Sequence, residues 1–569
     1  MHLDKIEELS EIVNQQIKSL MEVERRDFPI DSKTGYISWF ADGIAIIDGL
    51  GVARIGQKIR LPESTKRAQL ESYQNEEIFG QVMDISEYTT KCIIFGEERF
   101  IKQGDKVVVL DEKETVSVFF NKEILGQVID PFGRTISEEV VSTSNNNDAT
   151  PPEIMMLPIE AESASIAFRA AVNRSLYTGI KAVDTALPVG KGQRMLIIGD
   201  RGTGKTSLAI SILLSQAQIN KLLPKNKRKV LIYVGIAKKI SEIAGIYNLL
   251  SSRQAMEDTI IVASKANDPA SLVYISPFAA TSIAEYYQSQ GRESVIIYDD
   301  LTSHANAYRH LSLLLGRPPG REAYPGDIFY LHARLLERSG NVYMKKQENG
   351  SYERVVAHTP ESFPVSITSF PIVQTKDSDF SAYIPTNIIS ITDGQIYLDT
   401  ELAQKKVMPA VNLGLSVSRI GSAAQSKLVK AVSKSIKYDI AIYFEKLKYA
   451  SFGFDIDKED QIIINHGHRL IKQLKQSEFE LCSEKNLIIE LLVIYLLNLC
   501  EILKQTNGIQ NISTINTNEQ FDKLSNKLKL DKLNDNDFRD SDLKNLNELK
   551  TLVINNQFFN EQLLMIEGC

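Results

Sequence analysis

The chain has little cysteine, no long apolar run, no excess of basic charge and no leader-like N-terminus. Its four cysteines, Cys92, Cys482, Cys500 and Cys569, are scattered through 569 residues without a CxxC pair. That pattern suits reduced, mostly buried thiols in a reducing compartment. The longest apolar run, LIIELLVIYLLNLCEIL from Leu487 to Leu503, is broken by Glu490 and Asn498. A membrane span needs about 20 mostly apolar residues, so a buried helix is the expectation. The opening LDKIEELSEI is acidic and has no continuous apolar core, which fits neither a secretory signal nor a basic transit peptide. A formal net charge of −7 argues against a nucleic-acid-binding surface, and no nucleic-acid partner is expected.

What is present is ordinary for a soluble globular protein, with 43% apolar and 24% charged residues. The length suits roughly three or four domains. Leu3, Ile6, Leu9, Val13, Ile17 and Leu20 recur at helical steps, giving an amphipathic helix that either packs on its own domain or docks on a partner. From about Gly35 to Leu110 short strand-like runs such as FGQVMDI and KCIIFGE alternate with Gly and Asp turns, predicting a small β-barrel of six or so strands. STSNNNDATPPE, residues 142–153, is a polar loop. MLIIG, KVLIYVGI, TIIVAS and SVIIYDD then read as buried parallel strands of an α/β domain. After about residue 426 the pattern is helical, with a polar, Asn/Asp-rich segment over 531–550. The expected division is a helix over 1–25, a barrel over 26–115, a nucleotide-binding domain over 116–425 and a helical domain over 426–569.

Gly199, Gly204, Lys205 and Thr206 complete the pattern G-x-x-x-x-G-K-[ST] in GDRGTGKT. The motif follows a strand and opens a helix, the context in which backbone N–H groups and a helix N-terminus hold phosphate. Asp200, Arg201, Gly202 and Thr203 fill the loop. Lys205 is positioned for the terminal phosphates, and the Thr206 hydroxyl for Mg²⁺. The strand SVIIYDD ends in Asp299 and Asp300. Asp299 is the expected metal partner through water, and a helix-capping acid pair is the plainer reading. The strand KVLIYVGIAKKI ends in Ala237, Lys238 and Lys239, with no carboxylate before Glu242. Lysine is protonated near neutral pH and cannot serve as a carboxylate base. The residues therefore point to nucleotide binding without efficient hydrolysis at this site.

TGIKAVDTALPVGKGQRMLIIGDRGTGKT, IIYDDLTSHANAYRHLSLLLGRPPGREAYPGDIFYLHARLLERSG and AYIPTNIISITDGQIYLDTEL resemble the alpha subunits of F-type ATP synthases. PAVNLGLSVSRIGSAAQ, Pro409 to Gln425, matches the alpha/beta signature, and its RIGSAAQ ending points to alpha. The similarity runs to about Gln476 and weakens beyond. The resemblance implies a β-barrel, a central P-loop α/β domain with a mostly parallel sheet and a C-terminal helical domain. It implies a ring in which three such subunits alternate with three beta subunits around a gamma central stalk, with a delta-type peripheral-stalk subunit at the N-terminal helix. It implies ATP or ADP with Mg²⁺ held but not turned over, and a noncatalytic, regulatory role. It also implies that Arg419 of the SVSR motif is a finger reaching the beta subunit's nucleotide, with Ser416 and Ser418 shaping its turn. Such a guanidinium is worth roughly 10³–10⁵ in rate. Membrane association would be peripheral, through a proton-translocating sector. The expected location is the cytoplasmic face of a bacterial membrane, the alternative being the matrix side of the mitochondrial inner membrane.

Four positions depart from the alpha pattern. Gly202 stands where Gln is usual, Lys238 where Gln is usual, Met408-Pro409 replaces Arg-Pro, and Gln476-Ser477-Glu478 replaces Q-x-Q. All four are expected around one nucleotide pocket, with Lys238 and Gly202 on the phosphate side and Met408 and Glu478 on the base side. The expected result is nucleotide binding with changed affinity, Lys238 pairing with a phosphate and Gln476 near the base. The departures also admit a specialised F-type-like ATPase not coupled to proton-driven synthesis. A hexameric RNA translocase shares the P-loop core, but it would need basic and aromatic interleaving that the charge does not favour. His466-x-His468 is a weak metal signal, read as ordinary residues ahead of a helix. The acidic FDIDKED, 454–460, faces a central stalk or begins a solvated helix.

Overall fold

The computed structural model describes residues 33–72, 77–111, 114–121, 124–136, 154–348, 351–356, 359, 361–425, 427–451, 458–483 and 487. The helix expected over 3–20, the loop 142–153, the apolar run after Leu487, the segment 531–550, most of the acidic stretch, Cys500 and Cys569 lie outside those residues. Cys92 is buried and Cys482 half-buried. Among the described residues no helix is long and apolar enough to cross a membrane.

The protein forms two compact units. The first holds the described residues up to Val116, with Pro269–Ser271 and Leu311–Arg317. In it a closed barrel of six strands runs β1 (Thr34–Ala41), β2 (Ile44–Asp48), β5 (Thr89–Phe95), β4 (Phe79–Ile85), β3 (Lys58–Arg60) and β6 (Lys106–Val109). Closure leaves no open sheet edge. Ile37, Ile47, Ile59, Val82, Cys92 and Val107 point inward and form the core. Sequence reading overlooked one element, the helix α1 (Pro62–Ser72). Among its described side chains the buried ones are Ser64 and Ala68, while Leu70 is exposed, so no apolar periodicity marks it. It is held by polar contacts: Ser64 Oγ donates to Asp105 Oδ2 at 2.7 Å, and Arg67 pairs with the same carboxylate. Pro62, whose missing N–H costs nothing in the first turn, starts it.

The second unit carries two short strand pairs and a large sheet. β7 (Ser117–Asn121) pairs with β9 (Ile154–Pro158), and β10 (Ser175–Leu176) with β11 (Val189–Gly190). The large sheet runs β20 (Val417–Ser418), β19 (Gly394–Leu398), β12 (Leu196–Gly199), β18 (Phe363–Gln374), β15 (Ser294–Asp299), β13 (Val230–Lys238), β14 (Thr259–Lys265) and β8 (Val128–Ile129). β16 (Gly340–Lys346) joins β18 antiparallel and carries β17 (Tyr352–Arg354). The pairs from β19 through β8 are all parallel. Both faces of these strands are covered, which is why β12, β14 and β15 read as unbroken apolar runs. The helices of this unit include α2 (Lys205–Lys221), α3 (Ile240–Ser252), α4 (Ala270–Ser289) from Leu272 on, α5 (Leu301–Leu314) up to His310, and α6 (Tyr383–Ile391). The helices α7 (Lys427–Ser451) and α8 (Lys458–Leu474) pack together through Ile436, Ile440, Leu470 and Leu474. His466 and His468 lie inside α8, not ahead of it. His466 faces Asp439 at 3.5 Å and His468 faces Tyr443 at 3.4 Å. The residues FDIDKED yield the start of α8 from Lys458 onward.

A buried histidine pair went unnoticed in the sequence. His304 Nε2 donates to the Tyr274 carbonyl at 2.9 Å, which leaves Nδ1 to accept from His332 Nε2 at 3.4 Å. Burial lowers the His304 pKa to about 4, and burial with the neighbouring ring lowers that of His332 well below its ordinary value. The unfolded protein takes up these protons below about pH 6.5, where the folded protein resists them. Their contribution to stability is thus complete above about pH 6.5 and is lost as pH falls toward 4. The denaturation midpoint is expected to drop over that window, and less steeply in His304→Gln. Equal slopes in both proteins would remove the histidines from the explanation.

Candidate functional site

The carboxyl ends of the parallel strands gather the chemistry. Gly199 ends β12 and is paired with Gln374 of β18 and Leu398 of β19. Asp299 ends β15 and is paired with Gly235 of β13, three residues before Lys238. In open α/β sheets this edge is where ligands bind.

The phosphate loop turns tightly between β12 and α2. Gly202 and Gly204 have φ of +80° and +93°, in the left-handed region that residues with a Cβ avoid. A Cβ at Gly202 would meet nothing within 4 Å, so only the backbone conformation, and not crowding, favours glycine there. Thr203 is buried and its hydroxyl donates to the Asp200 carbonyl at 2.9 Å. Lys205 Nζ donates to that carbonyl at 2.5 Å. Burial lowers the Lys205 pKa, partly offset by Asp300, Asp299 and Asp200. Arg201 is exposed. The Asp200 carboxylate turns to the protein: it accepts from Thr375 Oγ1 at 2.5 Å, Ser378 N at 2.9 Å and Thr400 Oγ1 at 3.1 Å. Burial raises its pKa, but these donors outweigh that and hold it below the ordinary value.

Asp299 sits where its strand meets α2. Its Oδ2 accepts from Thr206 Oγ1 at 2.7 Å and from the Tyr233 hydroxyl at 2.8 Å. Its Oδ1 pairs with Lys238 Nζ at 2.8 Å. Lys238 therefore faces this carboxylate, a partner its sequence position did not reveal. Burial pulls the Lys238 ammonium down, but Asp299 overcomes this and its pKa stands above the ordinary lysine value. The helix-capping role belongs to Asp300, whose Oδ1 accepts from Ser303 N at 2.6 Å at the start of α5.

Met408 and Glu478 line a common cavity with Thr203, Gly204, Ser207, Gln476 and Phe479. Two of the four departures thus meet beside the phosphate loop, and Lys238 lies beside Asp299. The Gln476 carboxamide is engaged with backbone: Nε2 donates to the Gly179 and Glu480 carbonyls, and Oε1 accepts from Lys181 N at 3.0 Å. Its backbone N–H donates to the Met408 carbonyl at 2.9 Å, tying the two walls together.

Ser416, Ser418 and Arg419 lie at β20. Ser416 Oγ donates to the Asn412 carbonyl at 2.6 Å and accepts from Tyr397 N at 2.9 Å. Ser418 Oγ donates to the Pro188 carbonyl at 2.6 Å. Arg419 is exposed, and its guanidinium donates to the Thr392 and Ile389 carbonyls at 3.2 and 3.3 Å, at the C-terminal end of α6.

The cradle fits a nucleotide's phosphates: an N-terminal helix turn, two left-handed glycines and a buried lysine converge on one strand end. Thr206 and Asp299, the expected holders of a divalent ion, meet here, and each Asp299 oxygen already accepts from the protein's own donors. The fold and loop define a P-loop nucleotide-binding protein. The model of the ATP synthase alpha/beta family nucleotide-binding domain matches residues 179–418, and the model of that family's C-terminal domain matches 425–548. ATP synthase subunit alpha of Orientia tsutsugamushi (strain Boryong) is 40% identical over 476 residues, covering 84% of each protein. The Acholeplasma laidlawii subunit alpha is 39% identical over 484 residues, covering 84% of this protein and 87% of its own length. That of Clostridium botulinum (strain Alaska E43 / Type E3) is 39% identical over 486 residues, covering 85% and 86%. The protein belongs to the ATP synthase alpha/beta family, and these relatives are alpha subunits. The C-terminal match to residue 548 extends well past Gln476, where the resemblance read from sequence began to weaken.

Proposed function

We propose that the protein is the noncatalytic, nucleotide-binding alpha subunit of a rotary F-type ATP synthase. In this reading Gly199 to Thr206 hold the phosphates of ATP or ADP, with Thr206 and Asp299 as the positions for Mg²⁺. Arg419 is the finger offered to the catalytic site of an adjacent beta subunit, with Ser416 and Ser418 fixing the strand that carries it. The partners are beta subunits in an alternating three-plus-three ring, a gamma stalk and a delta-type subunit. Association with the membrane is peripheral, through the proton-translocating sector, at the cytoplasmic side in a bacterium. The domain division at about residues 25, 115 and 425 belongs to the same reading.

One observation carries the noncatalytic role. The side chain facing Asp299 from the end of β13 is the Lys238 ammonium, at 2.8 Å. A protonated lysine paired to the metal-side carboxylate cannot take a proton from an attacking water. The test is titration of the full-length protein with ATP and with GTP, followed by a turnover assay on the same sample. Binding without turnover, and with weak preference between the bases because Met408 and Glu478 wall the cavity, is expected. Steady hydrolysis by the protein alone would remove the noncatalytic reading, and tight ATP-selective binding would remove the altered base pocket.

A further inference from the structure

At the nucleotide edge one charged group has no part in the phosphate loop itself. Lys238 ends β13, beside Asp299 at the end of β15, and the register brings the two side chains together. The pair is largely enclosed, Lys238 being 17% and Asp299 2% exposed. Asp299 accepts from three of the protein's own donors: Lys238 on Oδ1, Thr206 and Tyr233 on Oδ2.

A strand-end carboxylate supports a divalent ion by accepting hydrogen bonds from the ion's waters and by supplying negative charge. Lys238 draws on both. Its ammonium donates to the carboxylate as a metal-bound water would, and its charge cancels that of Asp299. Lys205 and Lys238 both face the carboxylates Asp299 and Asp300, with Asp200 also near Lys205 and Glu242 also near Lys238. A neutral side chain at 238 would leave the Asp299 charge uncancelled, and this edge more negative and more attractive to a divalent cation. With lysine there, the attraction for Mg²⁺ is weakened, while an incoming triphosphate meets two ammonium groups.

We propose that Lys238 stands in for the divalent cation, so that this protein binds nucleoside triphosphate with little dependence on Mg²⁺. The proposal rests on the nucleotide-site reading above and narrows the part that Mg²⁺ plays in it.

The test is calorimetric titration of the full-length protein with ATP, in MgCl₂ and in excess EDTA, for the unaltered protein, Lys238→Gln and Lys238→Arg. The unaltered protein is expected to bind with affinities within about threefold of each other in the two buffers, and Lys238→Arg to keep that ratio. Lys238→Gln is expected to weaken in EDTA by about tenfold or more, the scale of one charged hydrogen bond. Circular dichroism checks that Lys238→Gln is folded. If it is not, the unaltered protein and Lys238→Arg still decide the matter by their own ratios. An unaltered protein that loses about tenfold or more in EDTA overturns the proposal and leaves the nucleotide site standing. No binding in either buffer overturns the nucleotide-site reading itself.

Discussion

Arg419→Ala is expected to lower ATP turnover of the ring assembled with beta subunits by roughly 10³-fold or more, the scale of a lost arginine finger. Nucleotide binding by the altered subunit itself is expected to stay unchanged. Ser416 and Ser418 lock the short strand β20 through the Asn412 and Pro188 carbonyls and Tyr397 N. The next residue, Arg419, is exposed and donates only to neutral helix-end carbonyls in the contacts described. Its charge is therefore available to an anion brought by a neighbour. Arg419→Lys keeps the charge but loses the planar fork, so it should recover only a small part of the rate. Steady-state hydrolysis by reconstituted complexes checks this. Near-normal turnover in Arg419→Ala would assign the residue to α6 capping alone.

The second large effect concerns stability. Asp299→Asn is expected to destabilise the folded protein by about 3 kcal/mol, because it removes the carboxylate paired directly with the enclosed Lys238 ammonium. The double change Asp299→Asn with Lys238→Gln should regain much of that loss, since no unpaired charge remains. The amide oxygen of Asn can still accept from Thr206 and Tyr233. Denaturant midpoints for the two single variants and the double variant form a mutant cycle. Strict additivity would show that the pair is not coupled.

The strands β12, β13, β14 and β15 were legible because a parallel strand buried on both faces must be continuously apolar. The barrel was legible from alternation and turns. α1 was not, because its contact face is Ser64 and Ala68 and its anchor is an aspartate far along the sequence. The phosphate loop announced itself, since its glycines and lysine act through local backbone geometry. The partner of Lys238 did not, because it depends on which strands become neighbours. The order β15-β13 and the pairing Gly235 with Asp299 supply that, and neither is written in the local sequence. The pair His304 and His332 was missed for the same reason: one lies on α5, the other on the helix Ile328–Leu336.

By accepting from Thr375, Ser378 and Thr400, the Asp200 carboxylate fastens the phosphate loop to the loop after β18 and to the short helix Thr400–Gln404 after β19. A free loop would lose conformational entropy on closing around a ligand, and its affinity would fall by that amount. Here the ordering is completed when the sheet folds, by residues far from the loop in sequence. A nucleotide meets a loop already in shape, and its affinity reports the contacts it makes with little deduction for disorder.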